Sequence, residues 1–221
     1  MTPTAAQQDK VRQAARALAT AGLVHAYGHC SLRLDDHHFL VCAACPMGSI
    51  TDQPGSVVPL DEPLPDGVLG EIRIHREIYR RRRDAEGICR IMPPTVMALS
   101  TQGVVPRPRH GIGAYFVPLP LWNDPRLLRD DAAAARLANQ IGDAAAIVMR
   151  GNGAVTVGNS LEQAVALAWF LEDAARVERD IRMMGFDPEL GLLDNDEIIA
   201  RQVWQGGVAE RMWTHLTGTP V

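Results

Sequence analysis

Apolar and polar positions alternate along this chain in two distinct periods, and the changes of period mark out its elements. From Ala6 to Leu23, Val11, Ala14, Ala15 and Leu18 recur at helical spacing with Asp9, Arg12, Gln13 and Arg16 between them, and Gly22 supplies a stop. After Gly28 the period shortens: Ser31-Leu-Arg-Leu and Phe39-Leu-Val-Cys-Ala flank the polar turn Asp35 to His38 and predict a β-hairpin with an exposed tip. Pro, Gly, Asp and Ser dominate from Cys45 to Gly67, which predicts a long loop holding one short strand at Ser56 to Leu60. A helix is expected from Leu69 to Arg83, capped by Asp66, with Ile74 and Ile78 on one face and Arg80 to Arg83 at its C-terminal end.

Farther on, Gly87 to Met92 reads as a buried strand, followed by a helix opened by Pro93-Pro94 and ended by Gly103. Tyr115 to Leu121 predicts a strand, Asp130 to Gly142 a helix, and Ala144 to Val157 a strand, turn and strand through Gly151-Asn-Gly153. Leu161, Ala164, Leu167, Ala168, Leu171 and Ala174 give the clearest amphipathic helix, Ser160 to Met184, with Ser160 as its cap. A last helix, Asp194 to Leu216, carries Trp204 and Trp213. Helices alternating with strands indicate a sheet covered by helices, an α/β class.

With 221 residues and 47% hydrophobic composition, one core suffices, so residues 1–221 are expected to form a single domain with a C-terminal helical tail from about 190 to 221. The net charge of -4 is spread along the chain, leaving no footprint for nucleic acid or an anionic membrane; a small anionic molecule is the expected partner. No apolar run would span a bilayer and the N-terminus lacks signal-peptide order, which predicts a cytoplasmic protein. Lys10 is the sole lysine and lies among polar residues, which argues against Schiff-base and pyridoxal phosphate chemistry. Cys42 and Cys45 lack the second closely spaced pair that a zinc site needs, and they leave a strand rather than open a helix as a redox pair would.

Four stretches, in this order and spacing, resemble the class II aldolase/adducin family. Gly22 to Arg33 is similar to that family's opening helix followed by Gly-Asn-x-Ser-x-Arg, with His29 in place of the Asn. Gly70 to Tyr79 resembles its Glu-x-x-x-His-x-x-Ile-Tyr helix, Asp84 to Ser100 the following strand and helix, and Met149 to Gly158 its final Asn-His-Gly hairpin, with Ser160 to Ala175 as the helix beyond. His29, with His110 ahead of Tyr115, looks most like the branch of dihydroxyphthalate decarboxylases. The resemblance implies a three-layer α/β/α sandwich with a central mixed sheet. It also implies a homotetramer with sites between subunits, the tail with Trp213 and His215 reaching a neighbour's cleft.

The family holds a divalent metal on a strand's His-x-His pair and a third His in the turn; here those positions are Arg90, Met92 and Asn152. A guanidinium, a thioether and an amide are poor ligands, so neither a metal nor another cofactor is expected. Two readings of Arg90 stay open: a fixed cation standing in for the ion, or a partner of Glu71 filling the vacated space. The resemblance makes Glu71 and His110 proton carriers beside Arg90 and assigns the substrate to His29, Ser31, Arg33, His75, Tyr115 and Asn152. For His75 the alternative is a core histidine. The expected activity is a metal-independent carbon–carbon lyase step, decarboxylation or retro-aldol cleavage, or a related proton transfer; the alternative is an inactive binding or assembly module.

Overall fold

The computed structural model describes residues 1–219. Its elements are α1 (Ala5–Thr20), β1 (His29–Arg33), β2 (His38–Val41), β3 (Ser56–Pro59), α2 (Ile72–Arg81), β4 (Gly87–Ile91) and α3 (Pro94–Ser100). They continue with β5 (Leu121–Trp122), α4 (Asp131–Ile141), β6 (Ala146–Met149), β7 (Ala154–Gly158), α5 (Leu161–Met183), α6 (Asn195–Arg201) and α7 (Val208–Thr217). The seven strands form one sheet in the order β3-β2-β1-β4-β7-β6-β5, antiparallel throughout except for the parallel β5–β6 pair.

Helices cover both faces, so the architecture is the expected α/β sandwich with a mixed sheet. On one face α5 lies along β4 and β7, α1 lies on β1 and β2, and α3 and α7 pack against α5; on the other, α2 lies over β1 beside α4. Strand alternation sorts side chains between these layers. Cys30 turns toward α1, donating to the Val11 carbonyl, whereas Ser31 turns toward α2 and bonds His75. Ser160 caps α5 by accepting from the Gln163 amide, as the sequence predicts, and Asp130 caps α4.

Several expectations are corrected. Tyr115 to Leu121 is not a strand: Gly113–Phe116 forms a single 3-10 turn and only Leu121–Trp122 pairs, since Pro118 and Pro120 have no amide to donate to a ladder. Asp66 caps nothing; α2 begins only at Ile72, with Glu71 at its N-cap position. The helix after Pro93-Pro94 runs to Ser100 and is closed, as expected, by Gly103 at positive φ, with the Gly103 and Val104 amides donating to the Ser100 and Leu99 carbonyls. The last helix is two, broken between Arg201 and Val208, where Gly206 and Gly207 adopt positive φ. Trp213 is buried against its own chain's core, while His215 is exposed. The end of the expected tail, 220–221, lies outside the described residues.

Candidate active site

Two glycines draw the ends of three strands together. At Gly28 (φ 137°) a Cβ would lie 2.6 Å from Val24 Cγ1 and 3.1 Å from the Arg90 carbonyl, so only glycine lets β1 start this close to β4. At Gly153 (φ 79°) a Cβ would come within 2.0 Å of the Ile91 carbonyl, which presses the β6–β7 turn and its Asn152 onto the end of β4. The register pairs His29 with Arg90, and antiparallel partners project to the same side. Glu71 approaches from the start of α2. Together these bound a cavity of about 550 Å³, lined also by Tyr27, Cys45, Pro46, Leu69, Met92, Leu127 and Arg129.

Three polar atoms on its lining residues are unsatisfied among the described residues. Arg90 is 2% exposed; its Nη1 donates to the Ile91 carbonyl at 2.7 Å, and its Nε lies 3.5 Å from Glu71 Oε2 without a hydrogen bond. Arg90 Nε, Glu71 Oε1 and Asn152 Nδ2 are all buried with no partner among the described residues. An orphaned buried polar group costs about 1–3 kcal/mol, and three such atoms surround this one cavity. Burial draws the Arg90 pKa below its usual value, with Glu71 opposing; arginine's intrinsic basicity keeps it a cation. Both readings of Arg90 thus meet in one geometry, since it pairs loosely with Glu71 and still has donors free.

His29 forms the wall beside Arg90, and behind it the side chains are fully buried. His29 Nδ1 lies 2.8 Å from His75 Nε2, His75 Nδ1 lies 2.6 Å from Ser31 Oγ, and Ser31 Oγ lies 2.9 Å from the Tyr79 hydroxyl. Burial, the other imidazole and Arg90 hold the His29 pKa well below its usual value, and burial with Arg90 brings His75 down to about 3. Both rings are neutral at physiological pH. His75 and Ser31 therefore reach the cavity only through His29.

Three expected site residues lie elsewhere. The Arg33 guanidinium donates to the carbonyls of Ala85, Tyr79 and Arg82 and sits over the Tyr79 ring, which makes it a clamp between β1 and α2. Tyr115 stacks on Phe170 and Trp204 and donates to the Val203 carbonyl. His110 meets Asp173 of α5 at 3.0 Å. None of these lines the cavity within one chain. Conversely, Arg129, Tyr27, Cys45 and Leu127 line it without a sequence signal, because the loops before β1, after β2 and before α4 reach it only through folding. All four cysteines are free thiols.

The divalent metal of related enzymes does not fit these residues. Arg90 fills a ligand position with a cation that repels a second one, Asn152 keeps an amide nitrogen buried at the cavity, and among the described residues no three His, Cys, Asp or Glu side chains are placed to hold an ion. The cavity's positive charge comes from Arg90, with the exposed Arg129 at its rim.

Residues 9–178 match the family described as Class II Aldolase and Adducin N-terminal domain, and the chain belongs to that family. It is 28% identical over 204 residues to the 3,4-dihydroxyphthalate decarboxylase of Terrabacter sp. (strain DBF63), covering 82% of this chain and 83% of that protein. The 3,4-dihydroxyphthalate decarboxylase of Arthrobacter keyseri is also 28% identical, over 202 residues, covering 82% and 81%. In structure the chain is similar to L-fuculose-1-phosphate aldolase from Thermus thermophilus, with a TM-score of 0.73 at 27% identity over 82% of this chain and 98% of that one.

Proposed function

We propose that this member of the class II aldolase family is a decarboxylating carbon–carbon lyase for a hydroxylated aromatic carboxylate, with the Arg90 guanidinium in the role that a divalent ion plays in its relatives. The observation that carries this reading is the convergence of three buried, unpartnered polar atoms, on Arg90, Glu71 and Asn152, on one cavity. Its walls favour an aromatic ring over a sugar phosphate: Tyr27, Pro46, Leu69, Met92 and Leu127 are apolar surface, and no serine or threonine hydroxyl lines it. The decarboxylases among its relatives act on such a molecule.

Decarboxylation breaks the bond between a ring carbon and its carboxylate; CO2 leaves, and the electron pair left on carbon takes one proton. Arg90 and Asn152 hold the substrate oxygens on which negative charge gathers, as preorganised donors whose nitrogens are buried at the cavity. Glu71 delivers the proton to carbon and recovers one from solvent at the mouth. The departing carboxylate faces apolar wall, a poor host for an anion and a neutral one for CO2. The exposed rim residues Tyr27, Leu69 and Leu127 favour a mouth closed by a second subunit.

The direct test is incubation with 3,4-dihydroxyphthalate, following CO2 and the dihydroxybenzoate product. Arg90→Met is expected to lower turnover by about 100-fold or more, the usual loss when a charge-stabilising donor is removed. Folded protein that releases no CO2 from this acid or from simpler hydroxybenzoates would instead favour the binding-module reading.

A further inference from the structure

The row of side chains behind the cavity has a direction, and that direction fixes the chemistry His29 presents. Alternation along β1 turns His29 and Ser31 toward α2, and the helical repeat sets His75 and Tyr79 one turn apart above them. All four are buried, so no bulk water supplies missing partners. The Tyr79 hydroxyl has a single hydrogen-bonding partner among the described residues, Ser31 Oγ at 2.9 Å. Since a buried phenol that only accepted would leave its proton unpaired, Tyr79 donates to Ser31. Ser31 then gives its own proton to His75 Nδ1, at 2.6 Å. His75 carries its proton on Nε2 and donates to His29 Nδ1, at 2.8 Å. A neutral His29 has only one place left for its proton: Nε2, on the ring that lines the cavity.

We infer that Tyr79, Ser31 and His75 are positioning residues that lock His29 as the Nε2–H tautomer, making it a permanent neutral donor to an anionic oxygen of the ligand. The inference rests on the ligand class proposed above but not on turnover. It assigns specificity: beside Arg90, His29 selects a ligand that offers an acceptor at that point and rejects one that presents only a donor there, such as an ammonium group, because two facing donors leave both unsatisfied. Orientation of a histidine by a partner on its other nitrogen is a general device for fixing tautomers.

The test reads the tautomer itself, by nitrogen NMR of the full chain labelled with 15N-histidine and without any ligand. The His29 signals, assigned by their absence in His29→Gln, are expected to show a protonated Nε2 and an unprotonated Nδ1. Ser31→Ala removes the donor to His75 and is expected to abolish this single tautomer, and Ser31→Thr to restore it. Titration with phthalate, an aromatic dicarboxylate that lacks hydroxyls, is expected to shift the His29 Nε2 proton downfield, with affinity about ten-fold weaker in Ser31→Ala, the equivalent of one lost hydrogen bond. A protonated Nδ1 on His29 in the unsubstituted chain would overturn the inference whether or not Ser31→Ala folds. An unchanged tautomer in folded Ser31→Ala would overturn it equally. If the tautomer is as expected while no acid is decarboxylated, the lyase reading fails and the locked donor stands.

Discussion

Two regions of this molecule bury carboxylates beside arginines, and they treat them in opposite ways. On α5, Glu172 accepts from the Thr95 and Val96 amides and the Thr95 hydroxyl at 2.7–3.2 Å, and so caps the N-terminus of α3. Farther along the same helix, Glu178 accepts from Arg109 Nε at 2.6 Å and Arg182 Nε at 2.7 Å. Across the sheet Glu71 stands 3.5 Å from Arg90 with one oxygen orphaned. The first arrangement uses its charges to hold helices together; the second leaves them available. The satisfied carboxylates serve architecture; the unsatisfied pair at the cavity is the one to which we assign chemistry.

The satisfied carboxylates carry the largest expected effect. Glu178→Ala strands the buried Arg109 and is expected to cost about 3–5 kcal/mol, the usual penalty for halving a buried pair; urea unfolding measures it, and a loss under about 1 kcal/mol would place Glu178 among the dispensable surface charges. At the other end, Arg90→Met removes a cation that few bonds support. Stability is expected to change by no more than about 1 kcal/mol while turnover falls about 100-fold, so a matching fall in stability would make Arg90 a structural residue.

Between these lies a pH effect. With its pKa held at about 3, His75 stays neutral in the folded chain, whereas in the unfolded chain it takes a proton below about 6.5. The unfolded state then binds more protons, so stability falls as pH drops from about 6.5 toward 3 and is insensitive to this group above that window. Between about pH 7 and 5 the loss from His75 alone is expected to be about 2 kcal/mol, read as the part of the urea-midpoint shift that His75→Gln removes, with His29 supplying a further part of the same sign. The smallest effect belongs to Asn152→Ala: turnover lower by about ten-fold, one hydrogen bond's worth, at nearly unchanged stability.

Most of the fold was legible in the sequence. Its four family stretches fall on β1, on α2, on β4 with α3, and on β6 and β7 with α5, because periodicity and glycine positions encode local structure directly. Where it misled, a local signal lost to chain geometry: the aromatic and apolar run from Tyr115 to Leu121 suggested a strand that Pro118 and Pro120 deny. The site was legible in part. His29, Glu71, Arg90 and Asn152 do line one cavity. Ser31 and Arg33 share a strand face with His29, but Arg33 lies roughly 13 Å along it at about 3.3 Å per residue, beyond the cavity's reach. Spacing along a strand tells which face a residue takes and not how deep it lies. Arg129 and Tyr27 needed the folded loops to bring them in.

Whether Arg90 does a metal's work is measured most directly by CO2 release from 3,4-dihydroxyphthalate by protein dialysed against a chelator, with metal content measured on the same sample. Undiminished turnover with far less than one metal per chain is the expected result. Turnover that vanishes on dialysis and returns with a divalent ion would contradict it.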